Sequence, residues 1–400
     1  MTHPRPWLAA CLLGLACDPS TASPEPMLVG PDPSDAPIAE LDAAWRERFT
    51  AGDAAFEANY RVSQGLGPVY IRTSCASCHK DDAKGPGFVN KMAPAQPDAM
   101  LPWGDTVRPY TAAGATTPIE AEQGAIVSTR VGPAVFARGY LEAVADTEIE
   151  RVEAEQAAAG GIIRGHIHRV PWRSQANPDA RFHGYGPGDE GLIGRFGLKA
   201  SIPTLDEFSA AALLGDMSIT SPLRPEELPN PDGITDDMRA GVDVELDVVN
   251  LAADYVRLLG IPARLDPDSD DGLARGQALF DEVGCGDCHV PALHTRADWP
   301  IAAVADIDAP IYTDLLLHDM GDALADGLQD GDAGPRDWRT APLIGLRHLR
   351  SYLHDGRAAT IDEAVRAHGD PQSEAREVTA AYEALSDDER DDLLAFVGSL

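Results

Sequence analysis

Five residues that occur twice constrain this chain more than anything else in its 400 positions. Cys75-Ala76-Ser77-Cys78-His79 and Cys285-Gly286-Asp287-Cys288-His289 both read C-x-x-C-H. Two intervening residues set the thiols about one helical turn apart, and a His follows directly. This is the attachment motif of haem c: the thiols add to two vinyl groups as thioethers, and the His becomes the proximal iron ligand. A four-Cys zinc ribbon needs its pairs roughly 15–20 residues apart, whereas 206 residues separate Cys78 from Cys285. Neither a zinc ribbon nor an exported redox dithiol requires a His after each pair. The sequence therefore predicts two covalently bound haem c groups. Cys75, Cys78, Cys285 and Cys288 attach them, and His79 and His289 ligate the irons.

The other two cysteines lie at the N-terminus. An apolar run from Trp7 to Ala16 follows Arg5. It is too short for the ~20 residues that span a bilayer, but it suits the apolar region of a signal peptide. Leu12-Leu13-Gly14-Leu15-Ala16-Cys17 resembles a bacterial lipoprotein signal, although Gly14 stands where that pattern has Leu. Residues 1–16 are thus expected to be a signal peptide and Cys17 a lipidation site. A plain secretory signal and an uncleaved anchor are the alternatives. Each places the folded chain outside the cytoplasm, in the periplasm or at the cell surface, touching the membrane only through an anchor. Six prolines between Pro19 and Pro37, with no apolar period, make residues 17–40 a disordered tether.

Charge limits the partners. Thirty-two basic and 65 acidic residues leave a formal net charge of −33. Phosphate backbones and anionic bilayers repel such a chain, so nucleic acid is excluded as a partner class. A basic protein suits it better.

Helical periodicity divides the chain. Residues 41–60 read as a helix through Leu41, Trp45, Phe49 and Phe56. Residues 244–259 keep apolar residues at helical spacing until Pro262, and the acidic stretch Asp266–Asp271 reads as a linker. A helical stripe from Asp271 leads into the second motif. Ser386 is a good N-cap for a last helix over 387–400. The expected fold is mainly α, with two cytochrome c-like haem domains over residues 41–262 and 268–400. The first carries a long insertion of irregular, Gly- and Pro-rich loops at about 85–200.

The chain resembles the bacterial di-haem oxidoreductase family, also called thiol oxidoreductases, which is related to di-haem cytochrome c peroxidases and to the di-haem enzyme that matures tryptophan tryptophylquinone. In the C-terminal half the resemblance rests on Tyr312–Gly321, Trp338–Leu343 and Tyr352–Ala358. In the N-terminal half it rests on Gly65–Pro68, Arg138–Ala143, Gly194–Ala200 and Asp216–Thr220. It implies that the distal ligand of the second haem stands fourteen residues after His354, which is His368. Relatives use Met or Tyr there; His would make a bis-His, low-potential haem. For the first haem, Met217, Lys199, His166, His168 and His183 are all candidate sixth ligands, and an open position is the alternative. His318 and His354 are expected to support ligands rather than to ligate.

The resemblance also implies a distal Gln and Glu near the first haem. Here Glu207, Phe208 and Asp216 occupy that stretch, with Phe208 in place of Gln and Asp216 in place of Glu. Glu207 and Asp216 are the candidate proton-handling residues. A Ca²⁺ held between the domains is implied as well. Three readings follow. The first is a peroxidase-like enzyme using hydrogen peroxide and electrons from a small, basic cytochrome or cupredoxin. The second is a di-haem electron carrier without catalysis. The third is a peroxide-dependent oxidant of a protein partner.

Overall fold

The computed structural model describes residues 36–80, 87–94, 96, 99–112, 114–234, 241–267 and 270–400. The predicted signal peptide and Cys17 lie outside the described residues. Nine α-helices carry the described fold: α1 (Ala43–Glu57), α2 (Arg138–Ala143), α3 (Asp146–Ala159), α4 (Leu205–Met217), α5 (Leu246–Leu258), α6 (Asp271–Val283), α7 (Ile361–Ala367), α8 (Arg376–Glu383) and α9 (Asp387–Ser399). The strands are short and pair only two by two, all antiparallel. The fold is mainly α.

Local chemistry sets the helix ends. The Asp42 carboxylate accepts the Trp45 N–H at 2.9 Å and starts α1. Asp270 caps α6 in the same way. Ser386 and Glu389 form a reciprocal capping box at α9, as its S-x-x-E spacing predicts. At the far end of α6, Gly284 adopts φ +96°, a left-handed conformation that L side chains rarely take. The chain thereby leaves the helix and enters Cys285 without an intervening loop.

The helices pair by a repeated device. In the first half α1 crosses α5, with Phe49 and Phe56 against Tyr255 at ring separations of 5.1 and 5.0 Å. The crossing is close because α1 presents Gly52, where a Cβ would overlap the Leu251 carbonyl oxygen. In the second half α6 crosses α9, and a Cβ at Gly276 would overlap the Asp392 carbonyl oxygen. Phe280, Phe396 and Tyr312 fill that second core. Each half thus joins its first and last long helix at a glycine.

The largest core does not stop at the acidic linker. It collects Phe49, Tyr140 and Tyr255 from the first half and Leu293, Ile301 and Leu315 from the second. The insertion expected as irregular loop is more ordered than its composition suggests. It contains α2, α3 and the six-residue ribbon Phe88–Ala93 against Ile126–Val131. The ribbon and helices follow from tertiary cover: Met92, Val131, Tyr140 and Ile149 are buried.

Candidate haem-binding sites

Both C-x-x-C-H segments fold into the same turn. The N–H groups of Cys78 and His79 donate to the Cys75 carbonyl at 3.0 Å each. Those of Cys288 and His289 donate to the Cys285 carbonyl at 3.4 and 3.0 Å. The turn puts two thiols and an imidazole on one side of the chain. All four thiols are unpaired. Burial pushes Cys75 up to about 12, Cys78 to about 11 and Cys285 to about 12. Unligated, they stand as protonated thiols near pH 7.

The two histidines are oriented alike. His79 Nδ1–H donates to the Pro133 carbonyl at 2.8 Å, and His289 Nδ1–H to the Tyr312 carbonyl at 3.2 Å. A carbonyl only accepts, so each Nδ1 carries the proton and each Nε2 keeps its lone pair. Burial lowers both imidazoles to about 4, so both are neutral near pH 7.

The first motif opens into a cavity of about 930 Å³, counting its mouth. Cys75, Cys78 and His79 form one side, and helix α4 faces them. Leu205, Phe208, Ser209, Ala212, Leu213 and Asp216 lie on the cavity face of α4, at helical spacing. Sequence reasoning reached Asp216, and the structure brings it to this cavity. Burial raises its carboxyl pKa, while Lys91 and Arg108 pull it back. Asp216 also raises both thiols, which places it near the attachment end.

Glu207 is a correction. One residue before Phe208, it is turned about 100° away from the cavity face. Its Oε1 accepts the Arg173 N–H at 2.8 Å and pairs with Arg224 at 3.2 Å. It belongs to a buried polar joint behind α4 and not to the cavity. Of the five candidate sixth ligands only Met217 borders the cavity. Lys199 Nζ donates to the Gly334 and Asp337 carbonyls. His168 Nδ1 donates to the Lys199 carbonyl, and His183 pairs with Asp206. His166 faces Asp337 at 4.0 Å. Spacing along the sequence could not separate these five, because the choice depends on which loops cross the cavity.

At the second motif, His368 ends α7 and donates Nδ1–H to the Ala364 carbonyl at 2.6 Å. Its Nε2 is left available, and burial keeps it neutral. His368 is close enough to His289 to help lower it. His318 is held between carboxylates, with Nε2 2.8 Å from Asp314 and Nδ1 2.7 Å from Glu374. Both nitrogens donate, and its pKa is raised well above the ordinary value. Cys288, Asp314 and His318 bring ligand-type atoms within 4.8 Å of one another. In this structure both His318 nitrogens are taken up by carboxylates, and Cys288 belongs to the second C-x-x-C-H segment. His354 stacks on Trp338 at 3.9 Å between ring centres and is lowered to about 4 by burial.

The residues fit a haem at the first cavity. Its walls are mainly apolar, and its donor set is two thiols and one neutral imidazole. Glycines stand where the motif needs room: a Cβ at Gly87 would press on Cys78, and one at Gly132 would lie 3.2 Å from His79.

No curated protein matches the sequence. Among solved structures, a MauG-like protein associated with microbial copper homeostasis aligns at 15% identity and TM-score 0.43, over 94% of this chain and 93% of its own. Hydrazine synthase of Kuenenia stuttgartiensis aligns at 14% identity and TM-score 0.42, over 100% of both chains. A variant of the diheme peroxidase BthA from Burkholderia thailandensis aligns at 16% and 0.38, over 93% and 89%. The family model "Di-haem oxidoreductase, putative peroxidase" matches residues 111–400, which contain the second attachment motif. With well over half of its length matched, the chain belongs to the di-haem oxidoreductase family.

Proposed function

We propose that this protein is an exported enzyme with two covalently attached haem c groups that reduces hydrogen peroxide at the first site. Electrons come from a small basic cytochrome or cupredoxin through the second site. One observation carries the reading: the Cys75/Cys78 pair, the neutral imidazole of His79 and the Asp216 carboxyl border one apolar cavity. Bound there, haem supplies an iron able to cleave an O–O bond and a reservoir for electrons.

The chain supplies the rest. Pro133 holds the His79 ring so that Nε2 faces the cavity as a neutral ligand atom. Phe208, Leu213 and Val256 exclude water. The Asp216 carboxyl keeps its proton to higher pH than an exposed aspartate does, so it can hand a proton to a peroxide oxygen and recover one. His289 and His368 offer two neutral Nε2 atoms at the second site, a pair suited to a six-coordinate iron that carries electrons without binding substrate. The signal-like N-terminus supports export, with Cys17 as the lipid attachment point.

The spectrum of the purified protein tests this. A high-spin ferric component that changes on adding peroxide is expected, together with oxidation of a reduced cytochrome. Two purely low-spin haems indifferent to peroxide would overturn it. Met217 at the same cavity favours that second outcome, an electron carrier whose first iron is closed by a thioether.

A further inference from the structure

Arginines border the first cavity, in a chain whose net charge is −33. Arg138 and Arg339 both border it. Arg257, the largest fully buried arginine, is answered by carboxylates and pairs with Glu142, Asp254 and Asp206. Arg138 is not. Its Nε and Nη2 both donate to the Ala134 carbonyl, and its Nη1 is buried without a hydrogen-bond partner. Arg339 donates Nε to the Gly197 carbonyl at 3.2 Å and Nη1 to the Thr340 carbonyl at 2.9 Å. Neither has an ion pair among the described residues, and Asp216 is balanced by Lys91 and Arg108 instead.

Two buried cations with only carbonyl partners are costly unless an anion joins them. Burial lowers Arg138 to about 9, helped by repulsion from Arg339, and burial lowers Arg339 to about 10 although the Asp314 carboxylate, which forms no ion pair with it, pulls it back up. An incoming pair of carboxylates would relieve both. Arg138 lies near His79 and Arg339 near Arg138, while a third arginine, Arg72, borders the cavity beside Cys78. The cavity therefore brings two thiols and buried guanidinium groups to the walls of one mainly apolar space, which suits a large apolar body that carries carboxylates.

We propose that Arg138 and Arg339 bind the propionate carboxylates of the haem attached at Cys75 and Cys78. This rests on the haem reading of the cavity. Bidentate guanidinium–carboxylate contacts neutralise both propionates in a low-dielectric setting. That favours the ferrous state and holds the ring in register with His79.

The test uses the full-length holoprotein and the variants Arg339→Gln, Arg339→Lys and Arg138→Lys. Peptide mass first establishes whether Cys75 and Cys78 carry haem. The propionate-bending band in resonance Raman is then expected to move in all three, because Lys keeps the charge but loses the fork. In Arg339→Gln the ferrous-to-ferric ratio of one titration step should fall about tenfold at fixed potential, about 59 mV for a one-electron couple, while the other step stays. Haem present on Cys75 and Cys78 with an unmoved band and unmoved titration overturns the proposal. If Arg339→Gln does not fold, the two Lys variants still decide through the Raman band. Absence of haem from Cys75 and Cys78 overturns the cofactor reading itself, a separate result visible by mass alone.

Discussion

At the scale of single residues, the functional claim turns on protons. Asp216 has a raised pKa because burial penalises its charged form more than Lys91 and Arg108 favour it. A proton donor of this kind fails as pH rises through its pKa, so the alkaline limb of peroxide turnover should lie above the range of an exposed aspartate. Asp216→Asn should lower turnover by roughly 10²–10⁴-fold and remove that limb, with haem content by pyridine haemochrome unchanged. His368 makes a different prediction. His368→Ala should raise the high-spin fraction of one haem in electron paramagnetic resonance, because no second imidazole then closes its iron. An unaltered low-spin signal would remove His368 from the ligand set.

At the scale of elements, the glycine crossings set how closely each helix pair approaches. A Cβ at Gly276 would meet backbone of α9, which cannot swing aside as a long side chain can. Gly276→Ala should therefore destabilise by about 1–3 kcal/mol, read as a lower Tm. At exposed Gly160, where a Cβ meets nothing within 4 Å, the cost comes only from φ +67°, and Gly160→Asn should be nearly neutral. Capping also acts here. Ser386→Ala removes half of the capping box of α9 and should cost about 1 kcal/mol.

At the scale of the molecule, charge and buried imidazoles oppose each other in acid. Acidification relieves the repulsion of a −33 chain, which stabilises it. In the haem-free chain, where their Nε2 atoms are unligated, His79 and His289 act with the opposite sign. Their folded pKa of about 4 lies below the unfolded value of about 6.5, so the unfolded chain binds protons first. Their contribution is complete above the unfolded value and is lost as pH falls from about 6.5 toward 4. In about 1 M salt, where screening shortens charge repulsion to about 3 Å, the second effect should dominate in the haem-free chain, whose Tm should fall across that window. The same net charge predicts that association with a basic donor slows steeply as ionic strength rises, measured by stopped-flow reduction.

Both C-x-x-C-H motifs and the Ser386 cap of the last helix were legible in the sequence, and Asp216 was reached through the family resemblance. The motifs and the cap each depend on residues within a turn or two of one another, where chemistry and spacing coincide. Glu207 was misjudged because adjacent helical residues differ by about 100° in direction, and only the packing of α4 decides which of them meets the cavity. Met217 could not be told from four other candidate ligands for a similar reason: loops far apart in sequence either cross the cavity or do not. The pairing of Arg138 with Arg339 is still less local, since a helix of the first half and a strand of the second meet only in the folded chain. The sequence by itself determined where the two C-x-x-C-H segments stand, the candidate sites for attaching and ligating a cofactor, because that pattern is local and short-range. The tertiary structure decided which side chains share its cavity and which charges were left without partners, because burial and electrostatics are properties of neighbours in space.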